Sequence, residues 1–217
     1  MSSAPDKILA LRELLAARFP QASTLGRGRC VPTGISAIDE ATGGLPIGAI
    51  TEVVCSAPSC GGMLLQARVL EMCRAQRLRV ALIDGTDSFD PQSFTPDALA
   101  HLVWVRCHDF RQVMQAADLL ARDANFGLVM IDIRRSLERE LRKEPPTSWY
   151  RLQRAAEQNE LPLLVETSRA LVPSAQLRFI LTQSFGLADL ETTRTLLAEA
   201  LPIELSRQRR QLEQEAV

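Results

Sequence analysis

The chain has 217 residues, 46% of them hydrophobic and 24% charged, with a formal net charge of −1. That length suits one generously cored domain rather than two marginal ones, and the charge balance gives no global pull toward a polyanion. Five cysteines (Cys30, Cys55, Cys60, Cys73, Cys107) without a CxxC pair, and two histidines, His101 and His108, off ligand spacing, argue against a zinc or disulfide framework. Reduced thiols, no cofactor, no metal and a cytoplasmic location are therefore expected.

The start, MSSAPDKILALRELL, carries charge within its apolar run and so does not read as a signal peptide, and no apolar stretch reaches membrane-spanning length. From Asp6 to Arg18 the apolar residues Ile8, Leu11, Leu14 and Leu15 recur at helical spacing, and Pro20 stops the run. Residues 21–33 read as a linker rich in Gly, Ser, Thr and Arg. Gly34 to Asp39 then opens a short helix closed by Gly43 and Gly44. The division that follows is an amphipathic helix and linker over 1–33, a core over 34–207 and a polar tail over 208–217.

Within the core, Ile50–Cys55, Arg79–Asp84, Leu102–Val105, Leu128–Asp132 and Leu161–Glu166 are continuously apolar runs of strand length, expected to be buried on both faces. Helices are expected between them at Met63–Gln76, near Pro96–Ala100, at Phe110–Arg122 and at Thr147–Gln158. Leu177–Gln183 and Ile203–Arg207 read as further strands around a helix from Leu190 to Ala200. The order predicts an α/β fold: a mainly parallel sheet flanked by helices, with an antiparallel C-terminal extension and a leading N-terminal helix.

In open sheets of this kind ligands sit at the carboxyl ends of the strands, which directs attention to the first strand-to-helix turn, Ser56 to Met63. A working phosphate loop needs a nest of backbone N–H groups, a Lys for the β and γ phosphates and a Ser or Thr hydroxyl for Mg²⁺. Here Gly62 and Met63 stand at the Lys and hydroxyl positions, after Gly61. Two uses of the turn remain open: a weak anion site, or a tight bend in which glycine serves shape alone. Leu128–Asp132 has the form of the second nucleotide-site strand, four apolar residues ending in a carboxylate.

A family resemblance is carried by Pro32-Thr33-Gly34-Ile35-Ser36-Ala37-Ile38-Asp39, Thr42-Gly43-Gly44-Leu45-Pro46 and the altered loop. It continues through Ile83-Asp84-Gly85-Thr86-Asp87-Ser88-Phe89-Asp90-Pro91, Phe126-Gly127-Leu128-Val129 and Pro146-Thr147-Ser148-Trp149-Tyr150-Arg151-Leu152. The set resembles the RecA superfamily, and most of all its ImuA branch, accessory proteins of damage-induced mutagenic translesion synthesis. The resemblance implies a RecA-like core without catalysis. Gly62 and Met63 would replace the family's Lys and Thr, Thr86 its water-activating Glu, and Thr167 and Ser168 would stand near its γ-phosphate-sensing Gln. Asp90 and Asp132 would remain as relics of the site. The implied partners are an inactive Y-family-like polymerase adaptor and an error-prone replicative-type polymerase. A cell-division inhibitor of the SulA type, docking on the tubulin-like division protein, and a true recombinase or ATPase recruiting Lys7 or Lys143 are the rival readings.

Two surfaces are candidates for partners or DNA. The segment from Ile133 to Pro146 carries Arg134, Arg135, Arg139, Arg142 and Lys143 interleaved with Glu138, Glu140 and Glu144, which reads either as a self-neutralised face or as a DNA contact. The C-terminal segment adds Arg207, Arg209 and Arg210. Weak, salt-sensitive DNA binding or none is expected, with docking to acidic partner surfaces as the alternative use of the arginines. The stripe Ile8, Leu11, Leu14 and Leu15 would either join a second copy of the chain, as the RecA layout implies, or cover its own domain. Trp149 is expected to pack in the core with Tyr150, and Cys55 and Cys60 to act as small buried fillers.

Overall fold

The computed structural model describes residues 29–209. The leading stripe of Ile8, Leu11, Leu14 and Leu15, and Arg210 at the other end, lie outside these residues. The chain first pairs β1 (Cys30–Val31) antiparallel with β2 (Leu45–Pro46) around α1 (Ser36–Thr42). Cys30 and Val31, which the sequence places in a linker, thus belong to the fold.

Seven strands follow: β3 (Ile50–Cys55), β4 (Val80–Asp84), β5 (Leu102–Arg106), β6 (Leu128–Asp132), β7 (Leu163–Thr167), β8 (Leu177–Leu181) and β9 (Ile203–Gln208). They form one sheet in the order β5-β4-β6-β7-β3-β8-β9, parallel throughout except for the antiparallel β8–β9 pair. The connections include α2 (Gly62–Ala75), α3 (Pro96–Leu99), α4 (Phe110–Leu120), α5 (Glu138–Leu141), α6 (Pro146–Gln158) and α7 (Arg194–Glu199). The result is an α/β protein with a mostly parallel sheet covered on both faces. No helix among the described residues is long and apolar enough to cross a membrane.

Burial follows strand position. Every residue of β3, β4, β6 and β7 is buried, as their apolar runs require of central strands. β5 departs from the expectation, because it is the sheet's edge and leaves Val103 exposed. β9, at the other edge, alternates half-buried and exposed residues with period two. It runs through Gln208, and Arg209 N donates to Gln176 O at 2.8 Å, so the polar tail begins later than its composition suggests. The helix expected over Leu190–Ala200 is shorter, Arg194–Glu199, with a 3-10 turn at Leu187–Glu191 before it.

The sheet separates two apolar layers. On one face Phe110, Val113 and Met114 of α4 and Trp149, Leu152 and Ala155 of α6 cover Val129, Ile131 and Val165. On the other, Ile35 and Ile38 near α1 and Leu65, Val69 and Leu70 of α2 cover Val53, Leu82, Met130 and Leu164. One buried carboxylate ties the centre of the first face: Glu52 Oε1 accepts from Thr167 Oγ1 (3.1 Å), Leu171 N (2.6 Å) and Val172 N (3.1 Å), while Oε2 meets Arg178 Nε at 2.6 Å. Glu52 is fully buried, so this set of donors is what makes a charge tolerable there. It also fixes the β7–β8 crossover against β3.

The entry turn has a comparable lock. Asp39 accepts from Thr33 N (2.9 Å), Thr33 Oγ1 (2.8 Å) and Gly34 N (3.0 Å), and Gly43 at φ 81° ends α1. Gly44 at φ 112° lies against the Val31 carbonyl, where an added Cβ would fall 2.8 Å from Val31 C. Both the left-handed backbone and the absence of space call for glycine. Gly44→Ala is expected to destabilise the protein by about 2–3 kcal/mol, read as a lower urea midpoint at unchanged slope. An unchanged midpoint would refute this account of the turn.

Candidate functional site

Parallel pairing sets Asp84, Asp132 and Glu166 in one row, since Asp84 is in register with Asp132 and Asp132 with Glu166. All three are buried at the carboxyl ends of β4, β6 and β7. Alternation along the strands turns them toward the face that α2 covers, because two residues earlier Leu82, Met130 and Leu164 belong to that layer. Adjacent strands are about 4.8 Å apart, so three carboxylates stand side by side in a dry place.

Each is handled differently. Asp84 is absorbed by the turn that follows it, accepting from Thr86 N (3.1 Å), Ser88 N (3.2 Å) and Phe89 N (3.2 Å), and from the indole Nε1 of Trp104 (3.2 Å). Asp132 accepts from Arg134 Nη2 (2.5 Å), Arg134 Nε (3.0 Å), Arg134 N (3.1 Å) and Ser88 Oγ (2.9 Å). Glu166 meets the same Arg134 Nε at 3.0 Å and accepts from Gln66 Nε2 of α2 at 2.9 Å. Its Oε1, and Oε1 of Gln66, have no hydrogen-bond partner.

One guanidinium thus serves two carboxylates. Burial works against ionising Asp132, but the hydrogen bonds and charge of Arg134 outweigh it and hold the carboxyl below its usual range. Arg134 stays charged for the same reason: burial opposes it, and Glu166 and Asp132 raise its pKa. Glu166 receives less compensation. Burial pushes its carboxyl up to about 8, Arg134 pulls down, and Asp132 adds repulsion.

The turn from Ser56 to Met63 lies over this row. Gly61, at φ 96°, precedes α2, and a Cβ there would run into Leu201 Cδ1 and come 3.0 Å from Phe185 Cε2. Phe185 N also donates to Ser59 O at 2.9 Å. A Cβ on Gly62 would run into Arg134 Nη1, and Arg134 Nη2 reaches Met63 Sδ at 3.6 Å. The place where a phosphate-loop lysine would project is therefore occupied by an arginine from the end of β6. The Cys60 thiol, buried beside this turn, is pulled down to about 6, by Cys55 first and then, against burial, by the backbone of Gly62 and Ala57 and the Arg134 charge.

Of the residues singled out from sequence, Gly61, Gly62, Met63 and Asp132 do come together here. Thr86 joins them indirectly, its Oγ1 2.9 Å from Ser88 Oγ, which in turn bonds Asp132. Asp90 does not: it caps the 3-10 turn Pro91–Ser93, accepting from Gln92 N (3.0 Å) and Ser93 Oγ (2.7 Å). Thr167 turns to the opposite face and bonds Glu52, and Glu166 is the residue of β7 that faces the site. The signal for Glu166 was a charge in a strand otherwise apolar enough to be buried, which obliges a partner.

Arg134 is a correction. Its side chain is 15% exposed and doubly ion-paired, so it is withdrawn from the surface patch that sequence placed it in. Arg135, Arg139, Arg142 and Lys143 are exposed, with Arg142 2.6 Å from Glu138, which also meets Arg169 at 3.5 Å. Arg207 pairs in register with Arg178 near the start of β8, half-buried with Nη1 3.3 Å from Pro173 O, and Arg209 follows it. Arg207 and Arg209 therefore lie at the amino ends of the parallel strands, whereas residues 134–143 follow the carboxyl end of β6. The two basic segments sit on opposite rims of the sheet and do not make one track. Tyr150 is exposed while Trp149 is buried, so only Trp149 packs as expected.

No protein-family model matches the chain, and no curated protein matches it.

The Glu166 carboxyl gives a pH dependence with a definite sign. A carboxyl raised from its ordinary 4.5 to about 8 keeps its proton preferentially in the folded state, so its contribution is complete below 4.5 and is lost as pH rises toward 8. Cys60, lowered to about 6, acts oppositely but only above 6. Between pH 4.5 and 6 the wild type should lose roughly 2 kcal/mol of unfolding free energy, at 1.36 kcal/mol per pH unit. Glu166→Gln should be nearly flat across that window in urea titrations. A variant as steep as the wild type would contradict the assignment.

Proposed function

We propose that the protein is a RecA-like accessory factor that has given up nucleotide chemistry and acts through protein contacts in damage-induced translesion synthesis in the cytoplasm. The observation that carries the non-catalytic part is Arg134, laid against Gly62 and tied to Asp132 and Glu166. Its guanidinium takes the space and the counter-charges that a phosphate-loop lysine and Mg²⁺ would use. With Met63 in the hydroxyl position and Thr86 in place of an activating carboxylate, neither metal binding nor water activation has its groups.

The translesion part rests on the ordered sequence resemblance, and the sheet order with its antiparallel C-terminal extension is compatible with it. The partners in this reading are an inactive Y-family-like polymerase adaptor and an error-prone replicative-type polymerase. DNA binding is weak or absent, in keeping with basic segments that are partly neutralised and placed on opposite rims. The leading apolar stripe is the candidate for self-association.

Isothermal titration of the wild type with Mg-ATP should show no binding at micromolar concentrations. Gly62→Lys with Met63→Thr should not recover it, because the new lysine meets Arg134; adding Arg134→Ala should recover binding without turnover. Micromolar binding by the wild type would overturn the non-catalytic reading. Pull-down by the polymerase adaptor is the expected partner result, and selective capture of the tubulin-like division protein instead would overturn the translesion reading.

A further inference from the structure

Between β8 and β9 the chain makes a long excursion over residues 182–202, which carries the 3-10 turn Leu187–Glu191 and α7. Both ends are anchored. Phe185 N donates to Ser59 O at 2.9 Å, and Ala198 and Leu201 are buried. Between the anchors, apolar side chains face water: Leu187 is 86% exposed, Leu190 79% and Leu196 56%. The first two are the most exposed large apolar side chains among the described residues.

The turn that presents them is well defined. Asp189 Oδ2 accepts from Gly186 N at 2.7 Å, and Thr192 N donates to Asp189 O at 3.0 Å. Residues three apart eclipse in a 3-10 turn, so Leu187 and Leu190 stand side by side as a small apolar ridge. Its border is acidic, because Glu191 and Glu199 are exposed and neither has an ion pair among the described residues. Arg194, the cation of the excursion, is engaged with the Ser93 carbonyl.

An apolar ridge with an acidic border is complementary to an apolar stripe flanked by basic residues. Residues 6–18 have that pattern. At about 3.6 residues per turn, Ile8, Leu11, Leu14 and Leu15 share one side of a helix, with Lys7, Arg12 and Arg18 on or beside it. Asp6 and Glu13 fall on the opposite side. The distance can also be spanned. Arg29 O accepts from Ile47 N at 2.9 Å, just before β3, and Arg29 Nη1 donates to Glu160 at 2.9 Å, just before β7. The described chain therefore begins at the amino-end rim of the sheet, whereas the ridge lies past the carboxyl end of β8. Strands of this length separate the two rims by about 20 Å. Residues 19–28 extend to about 33 Å, which brings the ridge within reach of the stripe.

We propose that residues 6–18 dock on the Leu187–Leu190 ridge of their own domain. Ile8, Leu11 and Leu15 lie against the two leucines, and Lys7, Arg12 and Arg18 face Glu191 and Glu199. Docking takes the ridge out of water and withdraws the stripe from a second copy of the chain. The inference rests on neither the nucleotide reading nor the translesion reading.

Lys7 and Lys143 are the chain's two lysines, which makes zero-length carbodiimide cross-linking selective. In the whole protein Lys7 should be joined to Glu191 or Glu199. In a mixture of light and 15N-labelled chains, the joined peptides should be both light or both heavy. Trypsin should cut after Arg12 and Arg18 at least about tenfold more slowly in the wild type than in Leu187→Asp with Leu190→Asp, since cleavage follows the undocked fraction. The wild-type cross-link decides even if the variant folds poorly. No Lys7 cross-link to the excursion, cross-links only between light and heavy peptides, or equal cleavage in the two proteins would each overturn the proposal.

Discussion

A single guanidinium between two buried carboxylates governs the carboxyl end of this sheet. Register leaves no freedom: with Asp132 opposite Glu166 on neighbouring parallel strands, two acids stand roughly a strand spacing apart. At that separation two full negative charges would repel by about 3 kcal/mol even with an effective dielectric constant near 20. Arg134, two residues past Asp132, folds back over both and removes the repulsion from one of them. Glu166 shares that guanidinium, but burial and the neighbouring Asp132 push its carboxyl up. The turn after β6, the orientation of Gln66 on α2 and the lack of space at Gly62 all follow from where that guanidinium must lie.

The same cation makes the turn before α2 part of the core. Backbone N–H groups before a helix attract negative charge, and a turn of this shape left empty would be an anion site. Here Arg134 lies against Gly62, while Phe185 and Leu201 close over Gly61. An anion entering the turn would have to displace an arginine held by two carboxylates and two apolar side chains.

Much of the architecture was legible because the central strands are apolar runs with sharp ends. Ile50–Cys55 and Leu128–Asp132 stand where the sequence puts them, residue for residue. Edge strands were harder: Leu102–Val105 reads as fully buried only until its place at the end of the sheet is known. The site was half legible. Gly62, Met63 and Asp132 could be found by position, but their significance depends on Arg134, which sits in a run of five basic residues and looks like one more surface charge. Charge patterning along a chain is blind to the one member that register turns inward. Glu166 was passed over for Thr167 because a strand's two faces are indistinguishable until the neighbouring strands are assigned. Asp90, conversely, matched a motif and serves a turn.

The separation of the core by the sheet also distributes the chain's two indoles, one to each layer. Trp149 is buried against Phe110 under α4 and α6, ring centres 6.5 Å apart. Trp104 leans on Phe89 at 5.4 Å on the opposite face, its N–H held by Asp84 and the Arg106 guanidinium 5.2 Å above its ring. One indole sits among apolar side chains and the other between an aromatic ring and two charged groups. The two indoles are therefore optical reporters in unlike surroundings, one on each side of the sheet. Loosening of the face that holds the carboxylate row reaches Trp104 first, and loosening of the other face reaches Trp149.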